Sequence, residues 1–431
     1  MGRRPLVYDI TRLVTRIFNR TPNGIDRVDF ALANHFIDAE RADRSGLLIT
    51  ALGPRVLKPC AAREAIDNIR KHWGEDEAPE SDEHFLAIAA TIDGAPSAAA
   101  RISKGRRGQY TDALAWIGRN GLPLGSEPWK FLADGGVYLN VSQFPLELDP
   151  LFRWADRRPG IDNVFFIHDI LPLETPEYFK PAEYPRHLRR LRTVARRGRA
   201  AIVSTGVVRE ALQRRLAELG RRDMPILVAP PPADSTFSCT ARTETITGRH
   251  PYFVICGTIE PRKNHSLLLH IWRDVVARLG QMAPKLVVIG VRGWENEHVK
   301  DLLERCPTGL RGHVIEASGL PTPSVKRLLL GARALLMPSF AEGYGLPVIE
   351  ALAAGVPVIA SDIPVFHEIG GDRLLTIDPT DGPKWRDAIC AFSATDCPQR
   401  RELLARNANY RAPEWPSFFA AIEDFIFNLK R

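Results

Sequence analysis

Glu342-Gly343-Tyr344-Gly345-Leu346-Pro347-Val348-Ile349-Glu350-Ala351-Leu352-Ala353-Ala354-Gly355 places one carboxylate on a glycine-flanked turn and a second inside the short helix that follows. Gly343 and Gly345 let the backbone turn without a Cβ penalty and come close to a ligand. Pro347 suits the first turn of a helix, where its missing N–H costs nothing, and Gly355 suits the C-terminal stop. The helix therefore starts at about Leu346, with its free N–H groups and positive dipole end facing whatever fills the turn. That is an anion site. Carboxylates beside it make sense when the ligand also offers hydroxyls. A sugar nucleotide has both parts, a diphosphate for the N–H groups and sugar or ribose hydroxyls for the acids. Taken alone, the same pattern also describes a capped helix with two incidental glutamates, so the surrounding segments decide.

Upstream, Tyr252-Phe253-Val254-Ile255-Cys256-Gly257 reads as a buried strand ending in glycine. Thr258-Ile259-Glu260-Pro261-Arg262-Lys263-Asn264 follows, and then an apolar-periodic helix from His265 to about Leu279. Strand, tight loop and helix make a second phosphate cradle, with Arg262 as a two-pronged fork and Lys263 as a compact point charge. Lys285 to Gly290, Ala332 to Met337 and Val356 to Ala360 read as further strands. Strands alternating with helices predict a parallel, doubly wound sheet whose ligands lie at the carboxyl ends of the strands, where both charged loops fall.

Gly257 to Asn264, Pro338-Ser339-Phe340 and Glu342 to Glu350 resemble the nucleotide-sugar half of retaining GT-B glycosyltransferases of family 4, the group 1 glycosyl transferases. Two glutamates eight positions apart are that family's hallmark. The resemblance implies two Rossmann-like α/β domains facing a cleft. It also implies that Glu342 contacts the donor sugar, that Glu350 binds the ribose hydroxyls, and that Arg262 and Lys263 hold the diphosphate. The backbone of Gly257 and Thr258, and of Gly343, Tyr344, Gly345 and Leu346, would approach sugar and phosphate. Many members carry arginine directly after the strand-end glycine, where this chain has Thr258; Arg262 is expected to compensate.

In the first half, Asn163 to Ile167 is a buried strand with His168-Asp169 at its carboxyl end. A lone histidine there is commonly a structural hydrogen bonder, but the resemblance puts His168 in the cleft beside the reacting sugar. Asp169 either orients the loop or touches substrate. Leu6 to Thr11 looks like a first strand, and Ala201 to Gly206 another before a helix capped by Ser204 and Thr205. The turn-rich Thr21 to Val28 opens a helix to about Ala39. The family places a glycine loop at that turn, near donor phosphate and acceptor. Gly24 and Arg27 are the candidates there, with an ordinary turn glycine and a surface arginine as the equal alternative.

At 431 residues, 45% hydrophobic and 25% charged, the chain can bury two cores of ordinary size. The expected layout is a first domain over 1–230 with an insertion at about 54–134, a proline-rich linker over 231–249, a nucleotide-sugar domain over 250–411, and a terminal helix over 412–431 that crosses back. The insertion carries an acidic run, Glu75-Asp76-Glu77, and a basic one, Lys104 to Arg107, and is expected to touch acceptor. Six scattered cysteines without a Cys-x-x-Cys pair disfavour a zinc site and a disulfide framework and point to a reducing cytoplasm. With no signal peptide and no apolar run long enough to span a bilayer, any membrane contact is expected to be peripheral, on the inner face of the plasma membrane.

The net charge of +7 is partly local. Arg186, Arg189, Arg190, Arg192, Arg196, Arg197 and Arg199 run without an acid among them, with Leu188, Leu191 and Val194 interleaved at helical spacing. This basic amphipathic helix either packs its leucines inward as a surface helix or meets anionic lipid headgroups. Nucleic acid is disfavoured, because no recognised nucleic-acid module or aromatic-interleaved basic ribbon is present. The expected activity is metal-independent, cofactor-free transfer from a nucleotide diphosphate sugar, GDP-mannose being the donor candidate, to a glycan or lipid-linked glycan in surface polysaccharide synthesis. A catalytically silent GT-B scaffold and a sugar-nucleotide epimerase are the alternatives.

Overall fold

The computed structural model describes residues 4–16, 22–38, 40–50, 53–73, 79, 82–95, 127–132, 134–238, 250–305 and 310–429. Two sheets organise them. The first contains β1 (Leu6–Asp9), β2 (Arg44–Thr50), β3 (Gly53–Val56), β4 (Val137–Asn140), β5 (Asp162–Ile167), β6 (Ala200–Val203) and β7 (Ile226–Val228), in the order β3-β2-β1-β4-β5-β6-β7. All its pairings are parallel except β2 with β3. The second contains β8 (Tyr252–Cys256), β9 (Lys285–Ile289), β10 (Val314–Ala317), β11 (Leu335–Met337), β12 (Val358–Ser361) and β13 (Leu374–Ile377). Its order is β10-β9-β8-β11-β12-β13, entirely parallel.

Both orders reverse direction in the middle, between β1 and β4 and between β8 and β11. At such a switch point the loops leave toward opposite faces and open a crevice outside the strand ends. The apolar runs of the central strands follow from burial on both faces: every residue of β1, β4, β5 and β12 is buried. Helices close both faces, so each lobe has a core above and below its sheet.

The last helix, Trp415–Phe427, returns to the first lobe. Phe418, Ile422 and Ile426 recur every fourth residue on one face and are buried with Val28, Leu32 and Phe36. Each such side chain contributes about 1.5–3 kcal/mol, enough to tie the chain's end to the lobe it began in. Arg44 stacks over the Phe427 ring at 4.6 Å, and His35 stacks on Phe419 at 4.1 Å.

The expected insertion at 54–134 is in fact divided between the two lobes. Its beginning is integral to the first lobe: β3 pairs with β2, and the helix Pro59–Trp73 buries Ala62, Ile66 and Ile69 in the first core. The next helix, Glu83–Ile92, lies on the second lobe. Phe85, Ile88 and Ile92 sit in the core beside Ile315, Ala317 and Leu320, and the Ser324 hydroxyl hydrogen-bonds Asp82 at 3.0 Å. Its apolar face is complementary to the half-covered face of β10, a match made across more than two hundred residues of chain. The acidic run at 75–77, the basic run at 104–107 and linker residues 239–249 lie outside the described residues. Among the described residues no helix is long and apolar enough to cross a membrane.

The basic helix divides its arginines between carboxylate partners in the first lobe and solvent. Glu183–Arg197 carries Arg186 and Arg190 onto Glu147, at 2.6 and 2.9 Å, and Arg197 onto Asp156 at 2.8 Å and onto Asp149. Burial works against the Glu147 charge, yet the two arginines hold that carboxyl below its ordinary range. Arg189, Arg192 and Arg196 remain on the exposed side.

Candidate active site

The loops after β8 and β11 flank the second lobe's switch point and meet there. Glu342 is 6% exposed and accepts three side-chain hydrogen bonds. Lys263 Nζ and Ser339 Oγ reach Oε1 at 2.5 and 2.7 Å, and Arg262 Nη1 reaches Oε2 at 2.7 Å. Arg262 also pairs through Nε with Glu260 Oε1 at 2.5 Å, and its Nη1 donates to the Ala341 carbonyl at 3.1 Å. The result is a buried quartet of two cations and two carboxylates. Burial alone would push the Glu342 carboxyl up, but Lys263 and Arg262 overcome it and hold it down at about 2. Burial lowers the Lys263 ammonium despite Glu342, whereas Arg262, held by Glu342 and Glu260, is kept charged more firmly than usual. Burial raises the Glu260 carboxyl against the pull of both cations.

Gly345 stands at φ +100° before the helix Leu346–Ala353, and a Cβ there would lie 2.9 Å from the Phe366 ring. Glycine is required on both counts. Gly343 is where the lobes touch: a Cβ on it would come within 2.8 Å of the His168 carbonyl oxygen and 2.6 Å of Asp169 Cβ. Thr205 Oγ1 donates to the Gly343 carbonyl at 3.3 Å while accepting from Val208 N, so one hydroxyl caps a first-lobe helix and binds the second lobe's loop. Tyr178 stacks flat on Phe340, centroids 5.0 Å apart, beside these contacts. Glu368 receives Gly206 N and Val207 N at 2.6 and 3.0 Å, capping the same first-lobe helix from the other side of the cleft.

Glu350 is 4% exposed and lies one turn into its helix. Its Oε1 is 2.6 Å from Arg27 Nη1, on the first lobe's helix Gly24–Phe36. Burial raises the Glu350 carboxyl, and Arg27 only partly opposes this. Gly24 opens that helix opposite Leu346, whose Cδ2 would be 3.6 Å from a Cβ at position 24.

His168 belongs to a buried hydrogen-bonded network at the first lobe's switch point. Asp9 at the end of β1 accepts from Tyr138 at 2.5 Å, Asn140 at 3.0 Å and the Thr11 amide at 2.9 Å, and Asn140 braces the turn through Phe144 and Gln143. That turn presents the Val141 carbonyl, to which His168 Nε2 donates at 2.8 Å. Nδ1 is therefore the unprotonated nitrogen. Burial pushes the imidazole down to about 4, so it is neutral at physiological pH.

The structure brings Arg262, Lys263 and Glu342 into contact, sets Glu350 against Arg27, and lays Gly343 on the His168-Asp169 backbone. The side chains of three further expected site residues make contacts that shape their own loops. Tyr344 donates its hydroxyl to the Pro231 carbonyl at 2.7 Å, tying the loop to the segment that joins the two lobes. The Thr258 methyl faces Gly293, where a Cβ would come within 2.7 Å. Asp169 Oδ1 accepts from Leu171 N at 3.1 Å and shapes its own turn. Sequence reasoning missed the roles of Ser339, Glu260, Tyr178 and Glu368. Glu260 could have been noticed as a third acid in the Arg262-Lys263 loop; nothing local marks Glu368 or Tyr178.

Residues 241–409 match the family model described as glycosyl transferases group 1. That segment is similar to the group 1 glycosyl transferases. O-antigen chain mannosyltransferase B of Escherichia coli is 38% identical over 131 residues, 30% of this chain and 33% of the relative. Serotype-specific mannosyltransferase WbdA of Escherichia coli is 29% identical over 234 residues, 50% of this chain and 28% of the relative. The chain thus spans about a third or less of the length of these two curated relatives. Outside the group 1 segment the likeness is one of fold. The crystal structure of WaaG, a glycosyltransferase involved in lipopolysaccharide biosynthesis, superposes with a TM-score of 0.59 at 14% identity, covering 98% of this chain and 99% of that one. The architecture is GT-B, two Rossmann-like lobes facing a cleft.

Proposed function

We propose that this protein transfers a sugar from a nucleotide diphosphate sugar to a hydroxyl of a glycan or lipid-linked glycan in surface polysaccharide synthesis. The observation that carries this reading is the pairing of Glu342 with Lys263 and Arg262 at the switch point, eight residues ahead of a second buried carboxylate. Such a crevice offers acceptors for hydroxyls and cations for a diphosphate. The O-antigen mannosyltransferases among the relatives support a mannose donor, with GDP-mannose as the candidate.

In this reading Glu350 accepts the ribose hydroxyls and Glu342 a hydroxyl of the donor sugar. Arg262, Lys263 and the N–H groups of the helix Leu346–Ala353 face the negative charge that grows on the leaving diphosphate. Fixed positive groups in a dry site do there what a metal ion does in other transferases, so the reaction needs no resident metal or cofactor. The anomeric configuration is retained, the acceptor attacking on the face that the diphosphate leaves and passing its proton to the departing phosphate. His168, neutral and beside Gly343, lines the sugar's side of the cleft. Asp169 orients the acceptor-side turn. The exposed arginines 189, 192 and 196 supply peripheral contact with anionic headgroups at the cytoplasmic membrane face.

A thermal-shift panel of nucleoside diphosphates tests the donor assignment, and one base is expected to raise Tm well above the others. Lys263→Ala should then abolish most of that shift and lower turnover by about a hundredfold or more. Absence of a shift with every nucleoside diphosphate would overturn the reading.

A further inference from the structure

The contact between Arg27 and Glu350 joins the first lobe's helix Gly24–Phe36 to the second lobe's helix Leu346–Ala353. Arg27 is on the first lobe and Glu350 on the second, their side chains 20% and 5% exposed, with 2.6 Å between Nη1 and Oε1. The pair stands at one wall of an interlobe cavity of about 240 Å³ whose other walls include Asn34, Asp234, Leu346 and Trp415.

The guanidinium at this distance takes up the approach to one carboxylate oxygen, Oε1. A ribose that grips the carboxylate with both hydroxyls, one on each oxygen, has to reach that same Oε1. The guanidinium and a ribose therefore compete for Glu350. Displacing Arg27 without a replacement costs the guanidinium its carboxylate partner and leaves Glu350 beside Asp234, whose charge already opposes its own. A diphosphate removes the first difficulty, since planar guanidinium groups pair with phosphate as well as with carboxylate. Arg27 lies three residues beyond Gly24 on the same helical face, and Gly24 fronts Leu346, the first residue of the helix whose N–H groups face the diphosphate.

We propose that Arg27 is a gating and positioning residue for the donor. From the opposite lobe it holds Glu350, and it gives that carboxylate up to the ribose only when a diphosphate arrives to take the guanidinium. The inference rests on the reading of Glu350 as the ribose acceptor. Arg27 thereby makes the site discriminate a nucleoside from its diphosphate by more than the phosphates' own contacts with Arg262 and Lys263. It also links nucleotide binding to the apposition of the lobes, because the exchange replaces a direct interlobe ion pair with one bridged by the ligand.

Calorimetric titration of guanosine, GDP, uridine and UDP into the full chain tests this, with wild type, Arg27→Met and Arg27→Lys compared. In Arg27→Met the preferred nucleoside should bind at least about fivefold tighter than to wild type, while the gain from adding the diphosphate shrinks by a similar factor. Arg27→Lys, which keeps the charge and guards against a folding defect in the methionine variant, should retain the wild-type order of affinities. Thermal melts of both variants establish that they fold. If Arg27→Met binds nucleoside and diphosphate as wild type does, or loses both by the same factor, the gate is wrong although the donor site stands. If wild type binds neither diphosphate, the donor-site reading itself fails and the gate with it.

Discussion

Glu342 and Glu350 are eight residues apart on one loop and helix, and both are nearly inaccessible, yet their electrostatic settings are opposite. The cations on Glu342 come from its own lobe, held by the loop after β8, and a neighbouring hydroxyl joins them. Charge attraction there outweighs burial, and the carboxyl is held at about 2. The cation on Glu350 comes from the other lobe, and burial outweighs it, so that carboxyl is raised. Depth alone therefore does not decide the state of a buried acid; the number of donors that bind it directly does, three on Glu342 against one cation on Glu350. Glu342 belongs to the frame of the second lobe, and Glu350 is available to a partner that can leave.

Replacing each acid by alanine gives the largest expected contrast. Glu342→Ala strips Lys263 and Arg262 of their shared carboxylate and should cost about 3–5 kcal/mol in urea unfolding at unchanged slope. Glu350→Ala should cost less than about 2 kcal/mol, because Arg27 is close enough to the surface to find water. Equal losses would break the distinction between a frame carboxylate and an exchangeable one.

Stability against pH sharpens it further, since the signs differ. The Glu342 carboxyl sits below its ordinary 4.5, so its contribution is complete above 4.5 and lost as pH falls toward about 2. Glu350 is raised, so its contribution is present below 4.5 and fades as pH rises through its folded value. His168 acts in a third window. It stays neutral down to about 4 where the unfolded chain takes a proton at 6.5, and stability therefore drops between those values by up to about 3 kcal/mol. His168→Gln keeps a donor toward Val141 and should flatten the melting profile over that window. A profile as steep as that of wild type would mean that His168 is not held neutral.

Glu368 extends the comparison to an exposed acid and predicts the smallest effect. Its partners are two backbone amides of the opposite lobe. Glu368→Gln keeps an acceptor but loses the charge at the helix N-terminus, worth about 0.3–1 kcal/mol and weakened by salt. A salt-independent loss would show that the contact is steric.

Much of the second lobe was legible because glycine, proline and charge stand at fixed offsets there. The strand at Tyr252, the helix from His265 to Leu279 and the start at Leu346 all emerge where local chemistry demands them. The edge strands β10 and β13 were not read. They are covered on one side only and lack a continuous apolar run, as the alternating burial of Val314 to Ala317 shows. In the first lobe, Asp26 of the capping box around Asn23 also binds Arg12 at 2.9 Å. Asp29 is buried beneath Tyr8, which donates to it at 2.6 Å, and burial pushes its carboxyl up to about 8. Neither role has a sequence signature, because a solvated helical aspartate looks the same in one dimension.

Local chemistry in the chain determined the two carboxylates, the glycine turn between them, the cationic loop and the parallel arrangement of strands, because backbone conformation and burial act over a few residues. Only the tertiary structure decided which cation meets which acid: that Lys263 and Arg262 converge on Glu342, that Arg27 crosses to Glu350, and that the helix Glu83–Ile92 leaves its own lobe to cover the other. Ion pairs and apolar faces form between whatever the fold brings within a few ångströms, and that proximity is a property of two packed sheets rather than of neighbours in the chain.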